Sequence, residues 1–162
     1  METTERNVIY LSAEEITRRN KEIILKTGGC SAAAGIPLNY NSLKYLVGIV
    51  EEGIAGYQPY STLSQKAAVY TFNIIKKHIF VDGNKRTGMT CALFFLELNG
   101  YILNATDDEI VNVAKSIAES KIDFQQTVTW IEERIQPKVF ELTFQSICNF
   151  FYSFPSCTWE CK

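Results

Sequence analysis

Histidine is almost absent from this sequence: His78 is the only one among 162 residues. Chemistry that needs a base titrating near neutrality therefore points to one position. Long apolar runs are absent, so no segment reads as a bilayer span. The opening stretch METTERNVIYLSAEEITRRN is too polar for a secretory signal, and a cytoplasmic location is expected. Excess positive charge is absent as well. The formal net charge is −2, which gives no general attraction to nucleic acid. Cysteine lacks a framework: Cys30, Cys91, Cys148, Cys157 and Cys161 are odd in number and form no CxxC pair. They read as reduced thiols, not as disulfides or a zinc set. There is no internal repeat and no low-complexity segment. What remains is 46% apolar and 21% charged, the composition of a soluble domain large enough for a real core.

The pattern is mostly helical. Ser12 with Glu15 predicts a capping box for a helix that Gly28 and Gly29 end. Residues 30–40 carry Gly35 and Pro37 and read as loop. A second helix is expected from about Ser42 to Glu52, and a third from about Thr62 to Lys77. RTGMTCALFFLELNG predicts a fourth helix, so apolar that it should be central. Thr106 with Glu109 opens a fifth. Asp123 opens a sixth, with Pro137 as its stop. After Pro137 the composition changes. PKVFELTFQSICNFFYSFPSCTWECK is crowded with aromatics and cysteine. It reads as a further core helix, a partner-binding surface or a membrane-proximal patch, since apolar surface left exposed generally marks contact.

HIFVDGNKRTG, residues 78–88, concentrates the chemistry. His78 is placed to take a proton from a hydroxyl. Asp82 is a hard oxygen ligand that suits Mg²⁺. Gly83 permits a tight turn that aims N–H groups at an anion. Asn84 and Lys85 add donors, and Arg86 offers a planar fork matched to phosphate. All of this precedes a helix, whose N-terminus favours an anion. Such a set suits transfer of a phosphate-containing group from a nucleotide to a hydroxyl. Each residue also has a plain alternative. Lys76, Lys77 and His78 suit a helix C-terminus by the dipole alone. Asp82, Gly83 and Asn84 could be turn chemistry. Arg86 could be solvated, although two cations, Lys85 and Arg86, at the positive end of a helix call for an anion. Phe80 reads as core.

The run His78-x-Phe80-x-Asp82-Gly83-Asn84-Lys85-Arg86 resembles the signature of the Fic/Doc superfamily, and most of all its Doc (death-on-curing) branch. Fic enzymes usually have Gly-Asn-Gly-Arg, where this chain has Lys85 in the third place. The helix that follows is also similar, and the resemblance spans most of residues 8–136. It implies an all-α fold, a compact helical bundle with the active-site loop between two central helices. It implies ATP as nucleotide and Mg²⁺ as metal. It assigns His78 as base, Asp82 as Mg²⁺ ligand, Gly83, Asn84, Lys85 and Arg86 as phosphate-binding anion hole, and Phe80 as buried anchor. In the Fic branch AMP is moved. In the Doc branch the nucleotide lies reversed and the γ-phosphate goes to a protein hydroxyl, with elongation factor Tu as target and translation stopped. Phosphotransfer by a toxin of a toxin–antitoxin system is the expected activity. AMP transfer is the alternative, and a silent binding module of the same fold is a second one that intact His78 and Asp82 oppose. A metal nuclease is poorly served by one His and one acid in the motif.

The sequence departs from the family in places. Many Fic enzymes carry a second arginine where this chain has Met89, which also argues against AMP transfer. Gly56, in IAGYQPY, stands where many Doc-like chains have arginine. Fic-type self-inhibition uses a Ser/Thr-x-x-x-Glu-Gly/Asn helix. The only Glu-Gly here is Glu52-Gly53, with Gly48 at its Ser/Thr position. A separate antitoxin is therefore expected as the brake. Neither nucleic acid nor membrane is an expected partner. Residues 1–136 are expected to form the catalytic domain, and residues 137–162 an extension whose role the resemblance leaves open.

Overall fold

The computed structural model describes residues 7–138. Among these, six α-helices carry the fold: α1 (Ala13–Thr27), α2 (Tyr40–Glu51), α3 (Leu63–Lys76), α4 (Asn84–Leu98), α5 (Asp107–Ala118) and α6 (Phe124–Glu132). Two three-residue strands, β1 (Tyr101–Leu103) and β2 (Ile135–Pro137), form an antiparallel ribbon beside them. The all-α expectation holds, with this ribbon as an addition.

Local chemistry starts the helices. Ser12, Asn39, Thr62, Thr106 and Asp123 each accept a backbone N–H in the first turn of the helix they precede. The capping box expected at Thr106 and Glu109 is complete. That of Ser12 is half made, because Glu15 turns to Arg18 at 3.5 Å. The second helix begins at Tyr40, earlier than its apolar pattern suggests, because Asn39 supplies the cap. The sixth helix ends at Glu132, well before Pro137. Pro137 is instead the last residue of β2, opposite Tyr101. A proline is tolerated at the edge of a ribbon, where its missing N–H breaks no ladder. The expected domain boundary thus falls within β2, and the rest of the proposed extension lies outside the described residues.

The centre is α3 against α4, as the apolar fourth helix predicts. Tyr70 and Ile74 of α3 and Phe95 and Leu96 of α4 are fully buried. Burial of each such side chain stabilises by roughly 1.5–3 kcal/mol. α1 and α5 pack on α4, while α2 and α6 pack on α3. The segment 77–83 joins the two central helices and brings the motif to one end of the bundle. Cys91 is buried, and desolvation pushes its thiol up to about 12, which leaves it inert. Cys30 is exposed and, like Cys91, free.

Candidate active site

The end of α3 sets the position of His78. The Ile79 N–H donates to the Ile74 carbonyl at 3.4 Å across the end of the helix. This is a Schellman closure, which requires a left-handed residue between. Glycine is usual there, yet His78 holds it, with φ of 45°. Ile79 and Phe80 are buried and pin the loop to the core. The imidazole is left exposed. The loop is also fixed from outside. Leu38 N–H donates to Ile79 O at 2.8 Å, and Val81 N–H donates to Ile36 O at 3.3 Å.

Asn84 closes the loop on itself. Its Oδ1 accepts the Phe80 N–H at 2.8 Å, and its Nδ2 donates to the Phe80 carbonyl at 2.7 Å. The Asn84 side chain thus staples the turn, and its backbone N–H is what it offers an anion. Gly83 precedes α4 with φ of 77°. A Cβ there would lie 2.8 Å from Ile24 Cδ1. Glycine is required both for the turn and for contact with α1.

α4 differs from the other five helices in having no side-chain cap, and it has no acid in its first turn. Its first internal bond runs from Thr87 N–H to Gly83 O at 2.8 Å. The N–H groups of Asn84, Lys85 and Arg86 are outside that ladder. Lys85 and Arg86 add two cations at the positive end of the dipole, where cations are disfavoured unless an anion joins them.

Asp82 is held as a carboxylate. Oδ2 accepts the Cys30 N–H at 3.0 Å, and Oδ1 accepts the Gly83 N–H at 2.5 Å. These two bonds, then the charges of Arg86 and Lys85, hold its pKa below the ordinary 3.8. Each oxygen keeps a further lone pair. No cage of three or more His, Cys, Asp or Glu side chains exists among the described residues. One ionised carboxylate beside the uncapped start of α4 fits Mg²⁺, which takes most of its ligands from water and substrate phosphates. Arg86 lies 3.9 Å from Asp82 Oδ1, donates to Gly28 O at 2.7 Å and bonds Thr27 Oγ1. The end of α1 orients this arginine. Glu52, the exposed C-cap of α2, takes no part in that pairing.

His78, Asp82, Gly83, Asn84, Lys85 and Arg86 all line one cleft of about 230 Å³, with Ile75, Val81 and Ala118 completing it. The sequence pattern did not point to Asn20, fully buried in α1. Its Nδ2 donates to Asp82 O and to Thr87 Oγ1, both at 2.9 Å, and its Oδ1 accepts the Gly35 N–H at 2.8 Å. The signal lay in the stripe Ala13, Ile16, Asn20, Ile24, where one polar residue interrupts a buried face.

An all-helical bundle brings a histidine, an ionised aspartate and an uncapped helix N-terminus into one cleft, an arrangement chemically able to hold an anion beside a titratable side chain. The chain belongs to the Fic/DOC family, whose model matches residues 10–96. It is similar to a protein called Toxin Doc from Mycolicibacterium smegmatis, 31% identical over 90 residues, which are 55% of this chain and 69% of that one. It is also similar to one called Protein kinase doc from Escherichia phage P1, 30% identical over 91 residues, 56% of this chain and 68% of that one.

Proposed function

We propose that this chain is a Doc-like toxin that transfers the γ-phosphate of Mg-ATP to a hydroxyl of a protein target, elongation factor Tu, and so inhibits translation. The observation that carries the proposal is the convergence of His78, Asp82 and the uncapped start of α4 in one cleft. The names of the two relatives, a toxin and a protein kinase, support it.

In this mechanism His78 accepts the proton of the attacking hydroxyl as its oxygen bonds to the γ-phosphorus. The bond from that phosphorus to the bridging oxygen breaks, and ADP leaves. The N–H groups of Asn84, Lys85 and Arg86 and the two basic side chains hold the phosphates and offset the charge that shifts toward the leaving group. Asp82 is the residue that would hold Mg²⁺, which would supply neutralisation of phosphate charge. A separate antitoxin protein restrains the enzyme, since Glu52 and Gly48 lack the arrangement for self-inhibition.

Expression of the chain from an inducible promoter tests this reading. Protein synthesis should collapse, His78→Ala should abolish the effect, and elongation factor Tu recovered from the cells should gain a phosphate by mass. Gain of AMP instead would assign the chain to adenylyl transfer. Continued synthesis with unmodified factor would contradict the toxin reading.

A further inference from the structure

A groove of about 470 Å³ shares no residue with the motif cleft and lies between α2 and the segment that leads into α1. α2 carries two stripes. Leu43, Leu46 and Val50 are buried in the core. Tyr40, Lys44, Val47 and Glu51, spaced for one helix face, line the groove instead. Val8, Tyr10 and Leu11 line its other side. Val8, Tyr10 and Val47 are only half-buried. Much of the polar lining is already paired. The Lys44 ammonium lies 5.2 Å from the Tyr40 ring centre, and the Tyr40 hydroxyl donates to Glu14 Oε1 at 3.4 Å. What the groove leaves unmatched is apolar.

We propose that the occupant of this groove is the chain's own aromatic segment, residues 139–162. These 24 residues lie outside the described ones, and their sequence holds seven aromatic side chains against three charged ones. Apolar surface of that density calls for cover. The place where the described chain ends supports the match. The Lys138 N–H donates to the Gly100 carbonyl at 2.8 Å, and Lys138 Nζ lies 2.6 Å from Glu97 Oε1. Asn99, the next residue, clasps Ile9. Its Oδ1 accepts the Ile9 N–H and its Nδ2 donates to the Ile9 carbonyl, both at 2.9 Å. Ile9 stands between Val8 and Tyr10 of the groove wall. The segment therefore departs beside the groove. An extended chain covers roughly 3.3–3.6 Å per residue, so a few residues bring Phe140, Leu142 and Phe144 over it. Tethering holds the segment at a local concentration that a free partner rarely matches. Residues 1–6, METTER, also adjoin the groove, but they are too polar to fill it. Of the readings open to this segment, cover for the chain's own core is thus favoured over a partner surface or a membrane patch. The proposal does not depend on the transfer reaction.

Hydrogen exchange of the full chain, read by mass spectrometry of peptides, tests this. Amides of residues 140–154 should exchange at least about tenfold more slowly than in the same peptide free in solution. Val47→Glu places a charge in the groove and should remove that protection, with circular dichroism confirming the fold. A second variant covers the case in which Val47→Glu unfolds. Val47→Cys, treated with a short bismaleimide, should be joined to Cys148, Cys157 or Cys161 within one chain. Val111→Cys, on exposed α5 surface away from the groove, should not be. Free exchange of the segment in the wild type would overturn the proposal. So would protection that Val47→Glu leaves unchanged, which would place the segment elsewhere. A bridge formed only between two chains would also overturn it and make a second copy the occupant.

Discussion

His78 adopts a left-handed backbone conformation that costs a residue with a Cβ roughly 1–2 kcal/mol. Ile79 and Phe80, both buried, hold it there. The site therefore keeps an imidazole where helix closure prefers glycine. His78→Ala should abolish transfer and leave nucleotide binding largely intact. His78→Gly should be equally inactive yet more stable than His78→Ala by about 1 kcal/mol, measured by urea unfolding. Equal stability of the two variants would show that the conformation carries no strain. Arg86→Lys should weaken both ATP binding and rate, because a point charge cannot replace a fork that reaches the end of α1 and an anion together. Unchanged affinity and rate would remove Arg86 from the cradle. Asp82 gives a pH signature. Its folded pKa is depressed, so its stabilisation is complete above pH 3.8 and is lost as pH falls through the lower folded value. The stability lost in Asp82→Asn should be full at neutral pH and shrink in acid below 3.8. A deficit that stays constant in acid would contradict the assignment of the charged form.

Among the elements, α1 is the support of the site. Asn20 ties it to Asp82, Thr87 and Gly35 at once. Asn20→Ala would leave these partners unpaired in the interior and should cost about 2–4 kcal/mol, read from chemical unfolding. A loss below half a kilocalorie per mole would mean that the network is not coupled to the fold. This element also shows what a sequence conveys. The helices were legible because capping residues and apolar spacing are local: Thr106 and Glu109 stand three apart and bond as expected. The motif was legible because nine consecutive residues make it. Asn20 was not, since its partners Asp82 and Thr87 lie 62 and 67 positions away. The strands β1 and β2 were not, because three residues are too few to display a period of two. The stapling role of the Asn84 side chain needed the turn geometry that only the folded loop supplies.

At the scale of the whole molecule, α3 and α4 form the packed centre that presents its irregular junction at one end. Around that junction α1 supplies partners for Arg86 and α4 its free N–H groups. No helix among the described residues is long and apolar enough to cross a membrane. The central claim is that this junction directs the terminal phosphate of ATP toward His78. Transfer of label to purified elongation factor Tu, from γ-labelled and α-labelled ATP in parallel with Mg²⁺ and with His78→Ala as control, tests it most directly. Label from the γ position only, lost in the variant, is the predicted result. Label from the α position, or label that persists without His78, would contradict it.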